Sequence, residues 1–86
     1  MTPQITVLYF ARLREAVGVQ EERIALAADV ATVADLLAHL ARTDPQKQAA
    51  FARLDVKVAV NQAQATGATP LAPGDEVALF PPVTGG

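Results

Sequence analysis

The sequence predicts an α+β domain: a mixed sheet packed on one main helix, followed by a flexible C-terminal tail. Three observations predict it. Two β-favouring runs, Ile5 to Phe10 and Glu22 to Ala27, precede the one long stretch with helical apolar spacing. Further β-favouring runs follow and end at Phe80. Pro81 and Pro82 then interrupt pairing, because neither has an amide N–H to give to a sheet. The expected division is a domain over residues 1–80 and an extended tail over 81–86.

Ile5-Thr-Val-Leu-Tyr-Phe10 reads as the first strand. Ala11 to Val17 reads as a short helical turn, ended by Gly18, which tolerates φ values other residues resist. Glu22 to Ala27 alternates, with Ile24 and Leu26 on one face, and is expected to form a hairpin with the first strand. Thr32 to Ala41 is the main helix. Thr32 can cap it, Asp35 sits three residues later as in a capping box, and Val33, Leu36, Leu37 and Leu40 form one apolar stripe. Asp44-Pro45 stops this helix and can start a second short one through Phe51 and Leu54. Val56, Val58 and Val60 share a strand face. Asn61 to Gly67 reads as a turn and a short strand, and Glu76 to Phe80 as the last strand with Val77 and Leu79 inward. Strand, strand, helix, strand, short strand, strand is the order expected of a ubiquitin-like β-grasp.

The chain has 86 residues and a formal net charge of −2. One core of modest size is expected, without room for an internal active-site cavity. The sequence contains no cysteine, which excludes a disulfide framework, a thiolate metal site and a thiol nucleophile. No basic run supports a nucleic-acid partner. No apolar run approaches the ~20 residues of a membrane span, and the N-terminal residues do not resemble a secretory signal. A cytoplasmic protein is expected, with no metal and no bound cofactor.

Side-chain chemistry is sparse. His39, the one histidine, lies off the leucine stripe and reads as a solvated helix residue. Glu21-Glu22 and Asp75-Glu76 read as turn and edge charges, since neighbours along a strand point to opposite faces. The terminus is the better candidate. Gly85 and Gly86 lack side chains, so they can enter a narrow channel and bring the backbone close to another active site. The prolines stiffen the exit from the last strand. Six residues can span about 20 Å. Such a tail can present its own carboxyl group to a partner enzyme.

The strand faces add an expected docking surface. With Val7, Tyr9, Val77 and Leu79 inward, Leu8, Phe10, Ala78 and Phe80 point outward, joined by Ala59. These five would form an apolar patch beside the tail, with the aromatic rings as anchors.

The ending Gly74-Asp-Glu-Val-Ala-Leu-Phe80-Pro-Pro-Val-Thr-Gly-Gly86 resembles the small subunits of molybdopterin synthases, which are ubiquitin-like sulfur carriers. Val7 to Glu15, Thr32 to Leu36 and Val60-Asn61-Gln62 agree with the same family. Tyr9 and Leu79 stand where other members often carry phenylalanine. The resemblance implies that Gly86 is adenylated by an E1-like adenylyltransferase using ATP, then converted to a thiocarboxylate with sulfur from a persulfide donor system. It implies that Pro81, Pro82, Val83, Thr84 and Gly85 lie in a channel of the synthase large subunit, within a heterotetramer. It implies that Phe10 and Phe80 meet that subunit. Sulfur would pass to cyclic pyranopterin monophosphate in molybdenum cofactor biosynthesis, with the catalytic side chains on the large subunit. Three rival readings stand beside it: a carrier for thiamine thiazole synthesis, a modifier joined to lysines, and a noncatalytic interaction module.

Overall fold

The structure is a computed structural model and describes residues 3–82. The expected tail therefore lies outside the described residues beyond Pro82. Eight elements follow in order: β1 (Gln4–Tyr9), α1 (Ala11–Val17), β2 (Glu21–Ala25), α2 (Val33–Thr43), α3 (Pro45–Arg53), β3 (Lys57–Val60), β4 (Ala63–Ala65) and β5 (Glu76–Phe80). The five strands form one mixed sheet in the order β2-β1-β5-β3-β4. β5 pairs parallel with β1, and the other neighbours are antiparallel. This is the α+β, β-grasp arrangement expected, with two shorter helices beside the main one.

Alternation decides which way each strand faces. Ile5, Val7, Tyr9, Val58, Val77 and Leu79 turn to the helices and are buried. The helices answer with Leu13 and Val17 from α1, Val33, Leu36 and Leu40 from α2, and Ala50 from α3. Leu36 is 0% exposed, as is Leu79. Each fully buried side chain of this size contributes roughly 1.5–3 kcal/mol through burial.

The main helix carries the local signals expected of it. The Thr32 hydroxyl accepts from the Asp35 N–H at 3.2 Å, and an Asp35 carboxylate oxygen accepts from the Thr32 N–H at 3.1 Å. Asp44 ends this helix and caps α3, accepting from the Gln46 N–H at 2.9 Å, with Pro45 at the first helical position. β1 and β2 do pair antiparallel, but α1 occupies their connection, so they do not form a tight hairpin. Gly18 makes that connection possible: its φ of +83° ends α1, and its N–H donates to the Arg14 carbonyl at 2.9 Å.

The capping box gives a pH-dependent prediction. Hydrogen bonds from the Ala31 N–H, then from the Thr32 N–H and hydroxyl, hold the Asp35 carboxyl below its ordinary value of 3.8. A lowered folded-state pKa adds stability above that ordinary value and loses it as pH falls through the folded one. Asp35→Asn will therefore flatten the acid limb of a urea-midpoint-against-pH profile. Thr32→Ala will cost about 1 kcal/mol at neutral pH. An unchanged acid limb in Asp35→Asn would rule out this carboxylate as a source of acid sensitivity.

Glu22 corrects the reading of Glu21-Glu22 as turn and edge charges. β2 is an edge strand, but the pairing of Glu22 with Val7 sets it on the inner face, and its side chain is only 24% exposed. There it accepts from the Tyr9 hydroxyl at 2.8 Å and meets the Lys47 ammonium at 2.6 Å. Lys47 is 7% exposed, a buried charge in a helix of mainly small and polar residues. Asp75 behaves as a turn charge: it accepts from the Ala72 N–H at 2.8 Å.

Candidate apolar face and tail root

The candidate site is built on the central strand. In β5, Val77 and Leu79 are 0% exposed, so alternation sends Ala78 and Phe80 to the outer face. Ala78 lies beside Leu8 in β1 and opposite Ala59 in β3, which makes a row across three strands. Phe80 lies opposite Lys57. Phe10 follows β1 at the same end of the sheet, and its N–H donates to the Leu79 carbonyl at 3.1 Å.

Phe10 is held by its backbone. It is the N-cap of α1 without a side-chain cap, and its carbonyl accepts from the N–H groups of Leu13 and Arg14. The next residue, Ala11, has a φ of +54°, in the left-handed region that side chains with a Cβ resist. Such a residue costs on the order of 1 kcal/mol and persists where the surroundings enforce it. Phe10, at this sharp turn, is 46% exposed.

Polar residues bound the patch. Glu21 lies beside Leu8 at one edge, and Gln64 lies beside Ala59 at the other. One row away from the tail, Arg23, Thr6 and Glu76 cross the sheet. The open side is the one where β5 runs into Pro81 and Pro82. Leu8, Ala59, Ala78 and Phe80 are half-buried, so the patch is more shielded than a fully exposed one. Neighbouring side chains on a pleated face cover one another, and Phe10 alone stands clear.

Two hollows meet at the tail root. A groove of about 770 Å³ runs past Phe80, Pro82 and Lys57 toward Leu37 and Val56. A smaller one of about 180 Å³ on another face of Pro82 is lined by Arg12, Arg53, Leu54, Asp55 and Pro81. Val83, Thr84, Gly85 and Gly86 lie outside the described residues. Sequence reasoning passed over the cations Arg12, Arg53 and Lys57. Arg12 carries a visible signal, since a cation in the first turn of a helix opposes the helix dipole.

His39 is half-buried, not solvated as expected, and its Nδ1 has no hydrogen-bond partner among the described residues. It lies far along the chain from the patch and joins no metal-ligating group: among the described residues, no three His, Cys, Asp or Glu side chains converge. None of the described helices is long and apolar enough to cross a membrane. What the described face presents is apolar surface, the aromatic side chains of Phe10 and Phe80, and the end of the strand that leads into Pro81 and Pro82.

Residues 7–86 match the model of the ThiS family. The molybdopterin synthase sulfur carrier subunit of Escherichia coli strain K12 is 44% identical over 82 residues, covering 95% of this chain and 99% of that protein. The putative molybdopterin converting factor subunit 1 of Pyrococcus furiosus superposes with a TM-score of 0.78 at 33% identity, covering 95% of this chain and 100% of the other. The small archaeal modifier protein 1 of H. volcanii superposes with a TM-score of 0.75 at 33% identity, covering 94% and 99%.

Proposed function

The chain belongs to the ThiS family, and from that membership we propose that it is the sulfur carrier subunit of a molybdopterin synthase, acting in the cytoplasm. The observation that carries the reading is the continuity of β5 with the C-terminus beside the Leu8, Phe10, Ala59, Ala78 and Phe80 face. The name of the E. coli relative, at 44% identity over nearly the whole chain, supports the pathway.

The chemistry proposed starts from the Gly86 carboxylate. A free carboxylate is a poor acyl donor. Its oxygen attacks the α-phosphorus of ATP on an E1-like adenylyltransferase, releasing pyrophosphate and leaving an acyl-adenylate. The outer sulfur of a donor persulfide displaces AMP to form an acyl disulfide. A thiol reductant then cleaves its S–S bond, leaving the thiocarboxylate on Gly86 and a disulfide between donor and reductant. The loaded tail, Pro81 to Gly86, then enters the large subunit, whose side chains direct the sulfur to cyclic pyranopterin monophosphate. Pro81 and Pro82 cannot donate to a further strand pair, so neither extends the pairing of β5. The synthase is proposed to be a heterotetramer. The absence of cysteine from the sequence fits a carrier whose sulfur rides on the main chain.

Intact-mass spectrometry tests the reading. Chain recovered from cells containing the activating enzyme will be heavier by the difference between sulfur and oxygen, localised to the C-terminal peptide. Reconstitution with the large subunit and the pterin precursor will consume that sulfur. The likeness to the small archaeal modifier protein favours a second reading, conjugation to lysines. High-mass lysine adducts without terminal sulfur would replace the first reading by the second.

The outer face has its own test. Phe80→Ala will weaken binding to the large subunit by roughly 30-fold, the scale of a 2 kcal/mol hot spot. It will lower the thermal midpoint only slightly, since the ring lies on the outer face. A large fall in stability with unchanged affinity would make Phe80 a structural residue instead.

A further inference from the structure

Three cations surround the tail root of a protein whose net charge is −2. Arg12 and Arg53 line one hollow with Pro81 and Pro82, and Lys57 lines the groove on the other side with Phe80 and Pro82. All three are exposed. Among the described residues none makes an ion pair, as is also true of Arg14 and Arg23, whereas Arg42 and Lys47 do. The convergence of the three at Pro81 and Pro82 is what sets them apart. The acidic groups nearby are Asp55, which lines the smaller hollow, and Glu15, which lines a neighbouring one with Arg12 and Arg53. Neither is paired with the arginines.

Local structure does not account for the set. Arg53 in the last turn of α3 does complement that helix's dipole. Arg12 in the first turn of α1 opposes its own. Lys57 sits on the outer sheet face opposite Phe80, next to the apolar patch. Cations kept beside an apolar docking face, at some local cost and without partners of their own, are complementary to anions on whatever covers that face.

We propose that Arg12, Arg53 and Lys57 form a basic collar that pairs with carboxylates rimming the channel of the large subunit and steers the tail into it. This inference rests on the carrier reading above. Distance selects carboxylates at the channel mouth over a phosphate or pterin at its end. Four residues separate Pro82 from Gly86, about 13 Å when extended. With the tail extended into a channel, as the carrier reading requires, charges at the collar would lie more than a Debye length at 0.1 M salt from the reacting carboxyl group. They act on encounter and on the entrance. Steering of this kind changes association rates by 10- to 1,000-fold and fades with salt.

The test measures association and dissociation with the purified large subunit at 20 mM to 500 mM NaCl, for wild type and for Arg12→Glu/Arg53→Glu/Lys57→Glu. The charge-reversed chain will associate roughly 10-fold or more slowly at low salt, converge toward wild type at high salt, and dissociate within about two-fold of wild type. Arg12→Gln/Arg53→Gln/Lys57→Gln will fall between them. Circular dichroism on each variant verifies the fold. Equal association rates and equal salt dependence for wild type and the charge-reversed chain would overturn the collar while leaving the carrier reading intact. Faster association after charge reversal would overturn it too, and would mean the channel mouth is basic. Failure of wild type itself to bind the large subunit would overturn both.

Discussion

Removing Gly86 will abolish sulfur loading and leave the thermal midpoint unchanged. The shortened chain still ends in a glycine carboxylate, so the chemical group is retained and only its position changes. One residue of extended chain is about 3.5 Å. A misplacement of about 1 Å from a productive geometry can cost ~100-fold in rate, and in the proposed adenylation the carboxyl oxygen must reach a phosphorus atom fixed in another protein. β5 is paired with β1 and β3 up to its end, so drawing length from the strand would break that pairing. The measurement is pyrophosphate release with the activating enzyme, together with intact mass of the chain. Normal pyrophosphate release and normal sulfur incorporation in the truncated chain would sink the carrier proposal. Loss of both with an unaltered melting curve separates a failure of delivery from a failure to fold.

Appending one residue after Gly86 probes the same geometry from the other side. In the proposed delivery the carboxyl group then overshoots, so sulfur incorporation measured by intact mass will fall as it does for the truncated chain.

The parts of the fold legible in the sequence were those with strong local signals. Thr32, Asp35 and the Val33-Leu36-Leu40 stripe announced α2, because capping and 3.6-residue periodicity act within a few residues of each other. The inward set Val7, Tyr9, Val77 and Leu79 was legible because a strand has only two faces and one must be apolar. The row Leu8-Ala78-Ala59 followed from those faces once β1, β5 and β3 were neighbours. What local pattern could not give was the pairing of distant charges. Lys47 stands in a helix whose neighbours are Gln46 and Gln48, and nothing nearby announces burial. Its partner Glu22 lies on β2, and the two meet only when α3, packed beside α1 and α2, brings the Lys47 side chain to the inner face of the sheet. The collar was hidden for the same reason: Arg12, Arg53 and Lys57 come from three elements that converge at Pro82.

That hidden pair carries the second large effect. Lys47→Ala will destabilise the fold by about 2 kcal/mol, a fall of roughly 10 °C in thermal midpoint for a domain of this size. The Lys47 ammonium is 2.6 Å from the Glu22 carboxylate and 3.7 Å from that of Asp44, and it lies 5.9 Å from the centre of the Tyr9 ring. Removing the cation leaves Glu22 charged on the inner face beside Tyr9. A fully buried broken pair costs about 3–5 kcal/mol. Glu22 retains 24% exposure, so water recovers part of that. Glu22→Gln keeps an acceptor for the Tyr9 hydroxyl, and the double variant Lys47→Met/Glu22→Gln will be more stable than Lys47→Ala, because no lone charge remains. The cluster also shapes the alkaline limb. Burial first, and the bond to Glu22 second, raise the Tyr9 phenol above its ordinary value of 10.0. A raised folded-state pKa contributes stability that is complete below pH 10 and declines as pH climbs above it. Tyr9→Phe will remove that decline while costing about 1 kcal/mol at neutral pH. A Lys47→Ala chain that melts with wild type would show that the ion pair adds nothing, and that α3 is held to the core by Ala50 and its apolar neighbours alone.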